Sequence, residues 1–343
     1  MLSLSTSLIS LPSDLSFEER VRRILDGDIP GLVLGQELGR REIPSWVQEA
    51  RGAGHSITAL EVPSSNSETT GSSNPSSFPD LFATDESERQ LAAGSCLEAI
   101  SCAQQHEISI VIVSNRSSES CQQNRQQNMV LEQFQARKNR ISGDPEDPEN
   151  ARWLQKLQQQ QQSELNQLWR ANAPHPKRQQ QKQDALLRTL DAVLEEATRR
   201  QVRIGLRETA DLEGLPHRSD YQQIAREFEG APLGLVADPA AALALSRLTG
   251  KESSDPVPDP QQLIGVVLRD CLGARTDQVV GTGDLDLELE FGQLAADLLR
   301  ILEAPGETGA DEIQLLGQFC RDRGIDGDPP PEPGEPFPII GAK

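Results

Sequence analysis

Short β-type runs alternate with stretches of helical periodicity along most of this chain, and that alternation limits the fold more than any single motif does. The runs are Leu2–Ile9, Gly31–Leu38, His55–Pro63, Glu107–Ser114, Val202–Thr209, Leu233–Asp238 and Leu263–Asp270. Strand followed by helix, repeated, requires a parallel sheet with right-handed crossovers. Seven such strands leave an open doubly wound sheet or an eight-stranded barrel. No Gly-x-Gly-x-x-Gly follows the first run and no P-loop occurs, which removes the nucleotide-binding forms of the open sheet. The expected fold class is therefore α/β, a TIM (β/α)8-type barrel. A length of 343 residues suits such a barrel, at ~250 residues plus insertions.

Capping signals place the helices between the runs. Ser16 and Glu19 have capping-box spacing ahead of Val21, Ile24 and Leu25. Pro44 suits a first helical turn before Trp46, Val47 and Ala50. Asp85 with Glu88 opens a helix expected to bury Leu91, Leu97 and Ile100. Asp184 is expected to cap another, with Leu186, Leu190, Val193, Leu194 and Ala197 inward and Arg199 and Arg200 at its dipole-favoured end. After Asp286, Leu294, Leu298 and Leu302 are spaced as in a helix, so the barrel is expected to be incomplete or irregular at its eighth strand.

Three segments depart from the alternation. Residues 63–84 are rich in Ser, Asn and Pro and read as a flexible loop. Residues 116–183 are rich in Gln and Arg, with Leu154, Leu157, Leu165, Leu168 and Trp169 at amphipathic spacing. They read as a helical insertion after strand 4 that lies on the body or meets a protein partner. Residues 324–343 are dense in proline, which favours extended, solvated backbone, so the barrel is bounded at 1–323.

Charge narrows the partners. Lys plus Arg total 33 against 53 Asp plus Glu, a formal net charge of -20. Such a chain lacks the basic face that nucleic acids and anionic membranes require, so neither is expected as a partner. No run approaches the ~20 apolar residues of a membrane span. The first residues lack a basic n-region and a clear cleavage site, and the five cysteines are widely spaced without a CxxC. A reduced, cytoplasmic location is the expectation.

In such barrels the chemistry gathers at the C-terminal ends of the strands. Glu37, Glu61, Glu208, Asp238 and Asp270 each close an apolar run. Carboxylates on neighbouring strand ends repel unless a cation or proton lies between them, which suits a hard divalent metal on oxygen ligands. The plainer alternative is that each caps a helix or pairs with Arg207 or Arg269. By alternation, both arginines are expected to face the helix layer. Among the four histidines only His217, in the loop after Glu208, is placed to reach the mouth.

The order of these segments resembles the xylose isomerase-like TIM barrel superfamily of sugar isomerases, epimerases and AP endonuclease-type enzymes. Leu2-Ser-Leu-Ser-Thr-Ser-Leu resembles its first strand, and Gly31-Leu-Val-Leu-Gly-Gln-Glu-Leu38 is similar to its "GVELG" segment. Ala53–Leu60 looks like its second helix-to-strand passage. Ile204-Gly-Leu-Arg-Glu208 stands where the family has "(I/L)ALEN", and Leu235-Val-Ala-Asp238 where it has "LDTGH". Val267-Leu-Arg-Asp270 is similar to "HLKD", and Gly281–Asp286 to the "GEGxID" loop.

The resemblance implies that Glu208 and Asp238 are catalytic residues and metal ligands, with Glu37, Glu61, Asp270 and His217 binding substrate. It implies a divalent Mn, Mg or Zn ion, metal-assisted proton transfer, and a small carbohydrate as partner. The departures point the other way. Ala241 stands where the family has a histidine after the aspartate, and Val267 replaces the histidine of the seventh strand. No strand-end glutamate closes the set, Glu288 and Glu312 being the substitutes in view. Two expectations therefore stand together. One is a sugar (phosphate) isomerase or epimerase. The other is an inactive barrel that lost its metal ligands and serves as a ligand-binding or protein-interaction module.

Overall fold

The computed structural model describes residues 1–6, 24–27, 29–35, 38–62, 80–114, 148–173, 175–212, 214–249, 262–292, 294–304 and 308–327, with short pieces between 129 and 137. Glu37, the capping box at Ser16, and residues 63–79 and 328–343 of the expected loop and tail lie outside them.

All seven expected runs form strands: β1 (Leu2–Ser5), β2 (Gly31–Leu34), β3 (Ser56–Glu61), β4 (Ile110–Ser114), β5 (Arg203–Arg207), β6 (Leu233–Ala237) and β7 (Leu263–Leu268). A small antiparallel ribbon, β8 (Asp270–Leu272) with β9 (Arg275–Gln278), follows. The eighth barrel strand is β10 (Leu299–Leu302). It pairs in parallel with β7 on one side and β1 on the other, closing the barrel in the order β1-β10-β7-β6-β5-β4-β3-β2. This corrects the helical expectation there. Leu299 and Ile301 point into the barrel while Leu302 joins the outer core, a period of two that the leucine spacing concealed.

The helices are α1 (Ile43–Gly52), α2 (Glu86–Gln105), α3 (Pro148–Asn172), α4 (Pro176–Arg200), α5 (Arg218–Glu227), α6 (Pro239–Thr249), α7 (Leu287–Phe291) and α8 (Ala310–Asp322). Pro44 lies in the first turn of α1, and Trp46, Val47 and Ala50 are buried as expected. Asp85 caps α2 by accepting from the amides of Ser87 and Glu88. Its buried face is Ala92, Cys96, Ala99, Ile100 and Ala103, whereas Leu91 is 72% exposed, against expectation. Helix α4 starts two turns before Asp184, at His175 and Pro176. Asp184 lies within it and accepts from the Gln180 side chain.

The described residues 148–183 of the Gln-rich segment belong to two helices. Helix α4 is the ordinary barrel helix that packs on α2 and β5. Helix α3 is the added one and lies against α6, where Leu165 packs with Leu212 and Leu248. The end of the expected flexible loop is fixed: Leu81 and Phe82 are fully buried, and Thr189 of α4 donates to the Leu81 carbonyl at 3.0 Å. The start of the expected tail is packed as well, Ile325 being buried in the main core.

Two cores result. The larger lies between barrel and helices. The smaller fills the barrel itself with Val33, Ala59, Ile112, Val236, Ile264, Val267, Leu299 and Ile301. Glycine makes the second one fit. A Cβ on Gly234 would stand 2.3 Å from Ile264 Cγ2, so only a bare backbone lets that isoleucine fill the space. Above this apolar plug the inward positions turn polar.

Candidate functional site

Alternation along each strand sets which residues meet at the mouth. On β5, Ile204 and Leu206 face the helices, while Gly205 looks onto Ile112, Val236 and Ile264 inside the barrel. The next inward residue is therefore Arg207, not Glu208. The same count sends Asp238 inward after Val236, Arg269 after Val267 and Glu303 after Ile301. This corrects the expectation that both arginines face the helix layer.

Arg207 is the hub. Its guanidinium meets Glu303 through two parallel bonds, Nη1 to Oε1 at 2.5 Å and Nη2 to Oε2 at 2.8 Å. Nη2 also donates to Asp238 Oδ2 at 3.1 Å, and Nη1 reaches Glu61 Oε1 at 3.4 Å. Arg269 grips Asp238 from the other side, Nε to Oδ1 at 3.1 Å and Nη2 to Oδ2 at 2.5 Å. Its Nη1 lies 3.3 Å from Glu303 Oε2. None of the five side chains is more than 10% exposed. Bidentate guanidinium–carboxylate pairs are the strongest hydrogen-bonded ion pairs a protein makes. Burial alone would raise the Asp238 and Glu303 carboxyls, but Arg269 and Arg207 outweigh it and hold both below the ordinary carboxylate range. Burial opposes the charge on Arg207 as well. Glu303 and Asp238 overcome it and raise its affinity for its proton.

Beside this cluster stands Ser114, the inward residue that closes β4 and pairs in register with Arg207. It is buried, and among the described residues its hydroxyl has no hydrogen-bond partner.

The other expected site residues take structural positions. Glu208 turns to the helix side. There it accepts two bonds from Arg218 at the start of α5, both 3.2 Å, and one from the Asp238 amide at 3.0 Å. Burial pushes its carboxyl up despite Arg218. Asp270 is enclosed by four backbone amides, those of Cys271, Gly281, Gly283 and Leu285 at 2.7–3.1 Å. A Cβ on Gly283 would stand 2.3 Å from Asp270 Oδ1, so the loop closes on this carboxylate only through a glycine. His217 begins α5, with its Nε2 at 2.8 Å from the Asp211 carbonyl and Asp220 across the first turn. Of the expected substrate-binding residues that are described, Glu61 joins the cluster, and Asp270 and His217 do not. Glu288 lies in the short helix α7, and Glu312 caps α8 through the Gly309 amide. The strand-end glutamate of the last strand is Glu303, which the sequence reading missed because β10 was taken for a helix.

A divalent ion does not fit this donor set. Three carboxylates converge as a metal site requires, yet their oxygens already accept from guanidinium N–H groups. An incoming ion would face two buried cations. Among the described residues no group of three or more His, Cys, Asp or Glu is arranged to hold a metal. Burial pushes the Cys96, Cys271 and Cys320 thiols up to about 12, which keeps these three protonated and poor as metal ligands.

No protein-family model matches this chain, and no curated protein does. Solved structures do match, over nearly the whole length. A D-tagatose 3-epimerase-like protein aligns at 14% identity and a TM-score of 0.56, covering 94% of this chain and 96% of its own. A 3-keto-D-glucoside 4-epimerase from E. coli aligns at 12% identity and 0.56, covering 93% and 98%. A xylose isomerase domain protein from Planctomyces limnophilus aligns at 12% and 0.52, covering 94% and 97%. The fold is thus the closed eight-stranded α/β barrel that these solved structures share, as the alternation of strands and helices implied.

Proposed function

We propose that this chain is a carbohydrate-binding barrel whose mouth works without a metal ion, and that metal-assisted isomerisation or epimerisation is not its chemistry. The observation that carries this is the placement of the Arg207 and Arg269 guanidiniums among Glu61, Asp238 and Glu303. Metal-assisted proton transfer needs a Lewis acid on the substrate's oxygens and a carboxylate free to take the proton. Here the inward carboxylates are committed to arginine. Glu208, the acid/base residue that the resemblance implied, sits behind the strand with Arg218.

Binding remains within reach of the same groups. A polyol offers hydroxyls that donate to carboxylates and accept from guanidinium, and the Ser114 hydroxyl can do both. The likeness of the fold to that of sugar epimerases supports a small carbohydrate as the ligand class. Calorimetric titration with D-fructose, D-tagatose, D-psicose and D-xylose in EDTA tests this. At least one sugar is expected to bind, and Ser114→Val to weaken it about tenfold, the loss of one buried hydrogen bond. Saturable binding that appears only with added Mn²⁺ would overturn the metal-free mouth. Absence of binding to every sugar in both conditions would overturn the ligand class.

A further inference from the structure

We infer that the ligand of this barrel carries no phosphate, because the chain's own carboxylates already sit in the places at its mouth where an anion would be held. This rests on the carbohydrate reading above and narrows it to unphosphorylated sugars. In a (β/α)8 barrel the helix after each strand starts at the mouth, so its first amides and the positive end of its dipole face a ligand there. Phosphate groups are held above all in the corner built by the loops after the seventh and eighth barrel strands. In this chain those places are filled from within.

The clearest case is the loop after β7. The amides of Cys271 and Leu285 converge on Asp270 Oδ1 at 2.7 and 3.0 Å, and those of Gly281 and Gly283 on Oδ2 at 3.1 and 2.8 Å. A concavity of convergent backbone N–H groups is an anion site, and the buried Asp270 carboxylate occupies it. After β10, Glu312 accepts from the Gly309 amide at the start of α8, with Asp311 in the same turn. After β6, Asp238 accepts from the Ala241 amide in the first turn of α6 at 3.1 Å. Asp220 does the same for His217 at the start of α5, and Asp85 for two amides of α2. Helix α4 starts with Lys177 and Arg178 instead, but both are exposed, where salt screens them. The inward guanidiniums are committed as well, Arg207 to Asp238 and Glu303 and Arg269 to Asp238. A phosphate ester at the mouth would meet carboxylates in each of these places, and the net charge of -20 opposes its approach at longer range. A neutral polyol meets neither obstacle. Its hydroxyls donate to carboxylates, and the Ser114 hydroxyl can both donate and accept.

Calorimetry in EDTA with the same four sugars and a phosphate ester of each tests the inference on the full chain. Each ester is expected to bind at least about tenfold more weakly than its sugar, since it brings like charges together. An ester that binds as tightly as its sugar, or more tightly, overturns the inference and leaves the carbohydrate reading standing. A second measurement depends on no sugar. Inorganic phosphate is titrated in chloride buffer onto the natural chain and onto Asp270→Ala, followed by phosphorus NMR line width and by hydrogen exchange at residues 271–285. The variant, with its four amides vacated, is expected to bind phosphate at least about tenfold more tightly than the natural chain and to regain exchange protection as it does. If Asp270→Ala does not fold, Asp270→Ser vacates the same place and stands in for it. If neither folds in chloride, both are refolded in phosphate, and recovery there is the expected result. Failure to bind phosphate or to recover in it overturns the inference, as does a natural chain that holds phosphate as tightly as the variant. If no sugar and no ester binds, the carbohydrate reading falls, and the phosphate titration alone decides whether the mouth holds its own anions.

Discussion

Arg207 shows how one side chain can set both the stability and the chemistry of a barrel mouth. Removing one partner of a buried ion pair leaves the others charged and uncompensated, at a cost of about 3–5 kcal/mol. Arg207→Ala is expected to lower the unfolding free energy by that order in EDTA, read as a lower urea midpoint at an unchanged denaturant slope. Arg207→Lys is expected to recover part of it, since a point charge cannot reproduce the bidentate grip on Glu303. The pH dependence has a defined sign. Asp238 and Glu303 titrate below their unfolded values, so their contribution is complete above about pH 4.5 and drains away as pH falls through the folded values. Asp80 has the opposite sign. Burial raises its carboxyl to about 6, so the folded chain holds that proton longer than the unfolded chain. Its stabilising effect is full below the ordinary carboxyl value of 3.8 and is lost as pH rises through about 6. Asp80→Asn keeps the oxygen that accepts from the Phe82 amide, and is expected to raise the denaturation midpoint at pH 8 but not at pH 4. Equal midpoints at pH 8 would count against it.

At the scale of elements, the loop after β7 depends on a buried carboxylate. Asp270 gathers four amides from β8 and the turn at 281–285. Asp270→Ala is expected to cost about 2 kcal/mol, the penalty of amides left short of a partner in a half-buried loop, and to speed hydrogen exchange at residues 271–285. Gly283→Ala is expected to do the same by forcing the loop off Asp270, while exchange in β5 and β6 stays as it was. The elements also mark how far the sequence could be read. Seven strands were legible because each apolar run is short and bounded by helix signals. The eighth was not, because Leu294, Leu298 and Leu302 fall four apart by coincidence, and only Leu299 and Ile301 carry the inward face. The site was half legible. Asp238 and Glu61 were found as strand-end acids. Glu208 was read as inward because both faces of a barrel strand are buried, so hydropathy alone does not say which parity points in. Gly205 held the missing signal, since a glycine in a packed barrel strand marks the crowded interior side and puts Arg207 on it.

For the whole molecule, the interior is built to close tolerance below a polar lid of five charges. Gly234→Val would drive two methyls against Ile264 and is expected to cost about 1–3 kcal/mol by overpacking, read as a lower melting temperature. The thermal midpoint of the natural chain is expected to be the same in EDTA and in MnCl₂, because no bound ion contributes to it. A metal-holding barrel gains stability as RT ln(1 + [ion]/Kd), so its integrity varies with how much ion its surroundings supply and which ion arrives first. A cation carried covalently on a side chain obeys no such law. It cannot be stripped by a chelator, exchanged for a redox-active competitor or diluted away. On the proposed metal-free reading, the Arg207 guanidinium makes the closure of this barrel mouth a property of the polypeptide alone, set once at translation and indifferent to metal scarcity thereafter.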